Sequence, residues 1–203
     1  MQANLTVAER GSHAKISFPY KVLCSPHEYY GSSFTTFVEK ECASRKQRWI
    51  YDIIRTGGAS RYEQIFIDRP QWCLCVDKHH GKDVRYLVVF KDITLRTIRD
   101  LRDTHLLLLE DVYSTVATWI ASRYKQRYYL FFHYMPSVFQ LHLHVNANTE
   151  HINWDRAQQL STVIANIRKN SQYYHHALIL TKLCKTIRSA DVHSRLPAHI
   201  ALL

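Results

Sequence analysis

FFHYMPSVFQLHLHVNAN, residues 131–148, holds the pattern on which the fold turns. From Gln140 onward polar and aliphatic residues alternate, with Gln140, His142 and His144 set against Leu141, Leu143 and Val145. A period of two is the period of a β-strand, so the polar trio is expected on one face of a sheet and the aliphatic set on the other. A strand over 138–145 would then present one amide and two imidazoles together. Residues 128–134 read as its partner strand, joined to it through Pro136-Ser137.

Outward from this pair the chain alternates helical and extended patterns. Phe34, Phe37, Val38, Trp49, Ile50, Ile53 and Ile54 predict one helix or two over 33–55, stopped by Gly57-Gly58. Short strands are expected at 64–68, 72–77 and 86–91, with a weaker one near 16–23. Leu106, Leu109, Tyr113, Val116 and Ile120 keep helical spacing behind Asp103 or Thr104 as N-cap. Ala157, Leu160, Ile164 and Ile167 predict a second amphipathic helix capped by Asp155, and 177–183 a last strand. This order predicts an α+β fold, a mostly antiparallel sheet with helices packed on one face.

The chain has 203 residues, 46% of them hydrophobic, enough to bury a core and too apolar for disorder. There is no internal repeat and no apolar run of membrane-spanning length, and the polar N-terminus does not read as a signal peptide. The five cysteines, Cys24, Cys42, Cys73, Cys75 and Cys184, are odd in number and unpatterned, which favours a reducing compartment. Lys and Arg outnumber Asp and Glu by 27 to 17, for a net charge of +10. That suits an anionic partner, although the basic residues form no block and suit a solvated surface nearly as well.

Three readings compete for His142 and His144. They are idle residues of a half-exposed strand, or two ligands of a zinc ion with His133 as a third, or a nucleophile on phosphorus and its neighbour. His133, Ser137, Gln140 and His144 are all placed to gather around His142. A hydroxyl, an amide and imidazoles suit phosphoryl oxygens. Residues 112–149 contain no Asp or Glu to complete a zinc site locally. Phosphate chemistry therefore leads.

HYMPSVFQLHLHV (133–145) resembles the histidine-triad signature of the scavenger mRNA decapping enzymes, H-Y-x-P-S-φ-φ-H-φ-H-φ-H-φ, where φ is apolar. TIRDLRDTHLLLL (97–109), WDRAQQLSTVIANI (154–167), SQYYHHALILTKL (171–183) and RWIYDII (48–54) are similar to other segments of that family, in order. The resemblance implies a histidine-triad-like fold. It implies hydrolysis of the triphosphate of a methylguanosine cap dinucleotide or short capped RNA, releasing methylguanosine monophosphate without a metal. By motif position His142 is the nucleophile, His144 the third triad residue and Gln140 a replacement for the first. His133 and Ser137 match phosphate-contacting positions. Trp49 matches a tryptophan that stacks on the positively charged methylated base. Asp77, in VDKHH (76–80), resembles the acid that contacts that base, with His79 in the place of a family lysine. Glu63 stands near the family's base-binding glutamate, with Arg61 an alternative for that position.

The resemblance divides the chain into an N-terminal extension (1–45), a catalytic region (46–185) and a tail (186–203). The extension is too short for the family's dimerisation region, so a short form or a fragment is expected. A homodimer, no membrane contact, and a cytoplasmic location with the nucleus allowed complete the expectations. Because glutamine cannot carry a proton, a non-catalytic cap- or nucleotide-binding module is the alternative function.

Overall fold

The alternation is realised as a strand at His142–Ala147, two residues later than the spacing from Gln140 suggests. A computed structural model describes residues 21–24, 32–56, 64–77, 85–125, 127–147, 152, 154 and 156–182. Eight strands are described: β1 (Lys21–Cys24), β2 (Ile65–Asp68), β3 (Trp72–Val76), β4 (Arg85–Phe90), β5 (Tyr128–His133), β6 (His142–Ala147), β7 (Ala157–Gln159) and β8 (Ile179–Lys182). The helices are α1 (Ser32–Cys42), α2 (Arg48–Thr56), α3 (Leu106–Ala121), α4 (Leu160–Lys169) and the single turn α5 (Tyr173–His176). Six strands form one sheet in the order β2-β3-β4-β6-β5-β7, and β1 pairs with β8 in a second. Every pairing is antiparallel. The α+β fold with an antiparallel sheet is as the sequence predicts.

Alternation along the strands sorts the large sheet into two faces. Leu74, Tyr86, Val88, Phe90, Leu130, Phe132, Leu143 and Val145 point to the main core. There they meet Leu109, Val112, Val116 and Ile120 of α3 and Leu160, Val163, Ile164 and Ile167 of α4. Each of these helical positions recurs at three or four residues, and burying each side chain stabilises by about 1.5–3 kcal/mol relative to exposure. Trp72 Nε1 donates to Asp111 Oδ2 at 2.8 Å, tying β3 to α3. On the opposite face α2 adds a partial cover: Ile50 and Ile53 pack on Cys73, Cys75, Leu87 and Val89. Burial pushes the Cys73 thiol up to about 11, so it behaves as an apolar group.

The structure corrects three boundaries. Residues 103–105 form a 3-10 turn, and α3 starts only at Leu106. Asp103 is not a helix cap: its Oδ1 accepts from the Thr104 N–H at 2.9 Å and from Ser171 Oγ at 2.7 Å. Residues 157–159 are strand β7, not the first turn of α4, because the free edge of β5 recruits them as a partner. The strand expected over 138–145 begins at His142, because Leu141 turns aside: its N–H donates to Leu95 O at 2.7 Å. Asp155 and Gly57-Gly58 fall outside the described residues.

Candidate active site

The site lies on the same opposite face, beside the part of it that α2 covers. His142 and His144 project there from β6, in register with Val89 and Leu87 of β4, while Phe131 of β5 stands opposite His144. The three histidines come together. Ring centroids lie 5.2 Å apart for His142 and His144 and 4.2 Å apart for His133 and His144. Phe131 stacks on His144 at 5.4 Å with 15° between the planes, which fixes the imidazole from one side. Asn146 continues the polar row; its Oδ1 is buried and has no hydrogen-bond partner among the described residues.

His142 is 8% exposed, and its Nδ1 lies 2.7 Å from the main-chain oxygen of Gln140. A carbonyl oxygen only accepts, so Nδ1 carries the proton and Nε2 keeps its lone pair. Burial holds the imidazole below its usual range, with a smaller push in the same direction from the Arg156 guanidinium. The bond to Gln140 O and the charge of Asp77 oppose that shift without cancelling it. A neutral imidazole of fixed tautomer results, the state a nitrogen nucleophile needs.

Gln140 is placed differently from the sequence expectation. It is fully buried in the bend before β6 and does not share the strand face with His142 and His144. Its Nε2 donates to Phe90 O at 2.8 Å and to Asp92 O at 2.9 Å, so the side chain clips the end of β4. Only its main-chain oxygen addresses His142. Gln140→Leu leaves two carbonyls without these donors and is expected to lower stability by about 2–3 kcal/mol. Thermal melts check this, and an unchanged transition would show that the clip carries no weight.

The segment before Gln140 is gripped by the N-terminal helices. Gln47 Oε1 accepts from the Phe139 N–H at 2.9 Å, and Tyr51 Oη donates to Phe139 O at 3.4 Å. Burial pushes the Tyr51 hydroxyl upward, so it remains a donor. The helices expected from apolar spacing alone thus set the backbone that orients His142.

The other sequence candidates distribute as follows. Ser137 is exposed on the loop between β5 and β6. Trp49 is half-buried on α2, packed beside the Ile50–Ile53 cluster that borders the histidines. Asp77 is buried just past β3, where its N–H donates to Arg85 O at 2.9 Å. Glu63 and His79 lie outside the described residues. Among the described residues no three of His, Cys, Asp or Glu are disposed to hold a metal ion.

Sequence reasoning missed Arg156. Its Nη2 donates to Met135 O at 2.7 Å and its carbonyl accepts from the Tyr134 N–H at 2.9 Å, which locks it to the loop after His133. Its charge is felt at His142. A signal existed: Arg156 is the first Lys or Arg after Arg127, and it follows the strand pair that carries the histidines. With Nε2 of His142 available, a fixed cation nearby and imidazoles alongside, the arrangement suits attack on phosphorus with anionic oxygens held in place.

A protein-family model described as scavenger mRNA decapping enzyme C-term binding matches residues 48–159. The m7GpppX diphosphatase of Schizosaccharomyces pombe is 24% identical over 170 residues, 74% of this chain and 53% of that protein. The m7GpppX diphosphatase of Sus scrofa is 26% identical over 153 residues, 68% of this chain and 45% of that protein. The chain spans about half the length of these curated relatives. With more than half of its own length matched, and with the histidine strand inside the match, this chain belongs to the scavenger mRNA decapping enzyme family.

Proposed function

We propose that this chain hydrolyses the triphosphate bridge of a methylguanosine cap dinucleotide or short capped RNA, releasing methylguanosine monophosphate. The observation that carries the proposal is the bond from His142 Nδ1 to the Gln140 carbonyl, which leaves Nε2 as a neutral nucleophile. Nε2 attacks the phosphorus next to methylguanosine. An N–P bond forms, the P–O bond to the remaining nucleoside diphosphate breaks, and that diphosphate leaves. Water then attacks the same phosphorus, the N–P bond breaks, and methylguanosine monophosphate departs. His144, His133, Ser137 and Arg156 serve the phosphoryl oxygens, and Arg156 offsets their developing charge. Trp49 and Asp77 serve the cationic base, with Glu63 and His79 assigned to the same task by sequence alone.

The names of the curated relatives support this reading, as does the histidine cluster. Among the described residues no helix is long and apolar enough to cross a membrane. A homodimer and a cytoplasmic setting, with the nucleus allowed, belong to the same proposal.

Incubation of the protein with a methylated cap dinucleotide should yield methylguanosine monophosphate, resolved by chromatography. Binding without product would favour the non-catalytic cap-binding module. On the enzymatic reading Gln140→His stays within roughly tenfold of the parent, about 1.4 kcal/mol in barrier.

Trp49→Ala tests base recognition. A desolvated cation–π contact is worth about 2 kcal/mol, roughly thirtyfold in affinity. The variant should lose about that much for methylated ligands and much less for unmethylated ones. Titration of both ligand types checks it, and an equal loss for both would assign Trp49 to packing.

A further inference from the structure

Trp154 lies at the edge of the histidine site and has no part in the function proposed above. It is 46% exposed, an unusual position for a tryptophan that serves only as core. Its ring rests on Tyr129 at 5.4 Å and 79° and reaches Phe131 at 6.3 Å and 52°. Neither contact is a parallel stack, so both anchor the ring without enclosing it. Phe131 in turn lies parallel to His144, and His144 neighbours His133 and His142. A continuous row of rings therefore leads from the nucleophile position to Trp154.

Strand order gives that row a direction. In β3-β4-β6-β5, helix α2 with Trp49 packs over β3 and β4, while Trp154 packs over β5. The histidines of β6 lie between the two tryptophans. Two residues past Trp154, the Arg156 charge reaches His142. The chain at 154–156 thus joins an exposed aromatic ring to a cation beside the reacting centre.

A cap dinucleotide has matching symmetry, with two bases on either side of one polyphosphate. The proposed function assigns Trp49 to the methylated base and leaves the second base unassigned. Resting on that function, we infer that Trp154 is the stacking platform for the base of the leaving nucleotide, and that it favours purines there. Stacking on an aromatic side chain tolerates any base and grows with ring area, so the purine preference is graded.

The test uses the full chain and a cap dinucleotide analogue whose bridging oxygens are replaced by methylene groups, so that it is not cleaved. A second analogue carries an abasic ribose in place of the second nucleoside, with the same phosphates and charge. Calorimetry on the parent should give roughly tenfold tighter binding of the purine analogue than of the abasic one. Trp154→Ala should erase that difference while leaving affinity for the abasic analogue unchanged, and Trp154→Phe should restore most of it. A difference that survives in Trp154→Ala overturns the inference. So does an equal loss for both analogues, which would make Trp154 a cover for Tyr129 and Phe131. If the parent binds neither analogue, the proposed function fails and takes this inference with it. Binding of the abasic analogue by the parent separates that failure from the other two.

Discussion

His142→Ala is expected to reduce release of methylguanosine monophosphate by about four orders of magnitude or more. On the proposed mechanism this removes the nucleophile and with it the covalent route, which the flanking groups do not replace. His142 is buried, so alanine also leaves a small void and frees the Gln140 carbonyl, at a stability cost of about 1–2 kcal/mol. His142→Asn, which retains a polar side chain, guards against reading a folding defect as a catalytic one. Rates and thermal melts on both variants decide the matter. Cleavage near the parent rate in either folded variant would remove His142 from the mechanism. His144→Ala should fall less steeply.

The same residue predicts a pH dependence. Burial depresses the His142 pKa below 6.5, so on the proposed mechanism the acid limb of kcat/KM falls below that value. For stability the sign follows from proton counting. Below 6.5 the unfolded chain binds a proton at His142 that the folded chain refuses, so stability declines as pH drops from 6.5 toward the folded pKa. An acid limb above 6.5 would contradict the buried, neutral assignment.

Arg99→Met is expected to be the most destabilising single change named here, by about 3–5 kcal/mol. Arg99 is fully buried behind the sheet's main core face. Its Nε donates to Tyr134 Oη at 2.6 Å, and its Nη1 donates to Tyr174 O at 2.9 Å and Ala177 O at 2.8 Å. The guanidinium also lies 4.9 Å from the centre of the Tyr134 ring. Methionine fills much of the volume but leaves these acceptors unmet, and the midpoint of thermal unfolding should fall by roughly 10 °C. Arg99→Lys should recover part of the loss, since one ammonium replaces a fork of donors. A drop under about 1 kcal/mol would mean that water or backbone movement satisfies those groups. Tyr134 directly follows His133, so the loss should also reach the site.

What the sequence determined by itself was what neighbours along the chain decide. Leu143 and Val145 against His142 and His144 required only the two-residue period of a strand, and the two faces formed accordingly. Leu109, Val116 and Ile120 required only helical spacing, and α3 buries all three, whereas Tyr113, expected on the same face, is exposed and Val112 is buried in its stead. The same local logic failed at Gln140. Its polar spacing matched the histidines, yet the strand stops short of it, and its amide serves carbonyls 50 and 48 residues away. Residues 157–159 were apolar and polar in helical order, but an unpaired strand edge captured them as β7. Local pattern assigns no role to Arg99, Arg156 or Trp154. Their roles depend on acceptors and rings brought close by sheet order, such as Tyr174 O at 75 residues from Arg99. Periodicity is fixed by the geometry of a few bonds, whereas a buried polar group takes whichever partner the packed chain delivers, and only the tertiary structure makes that delivery.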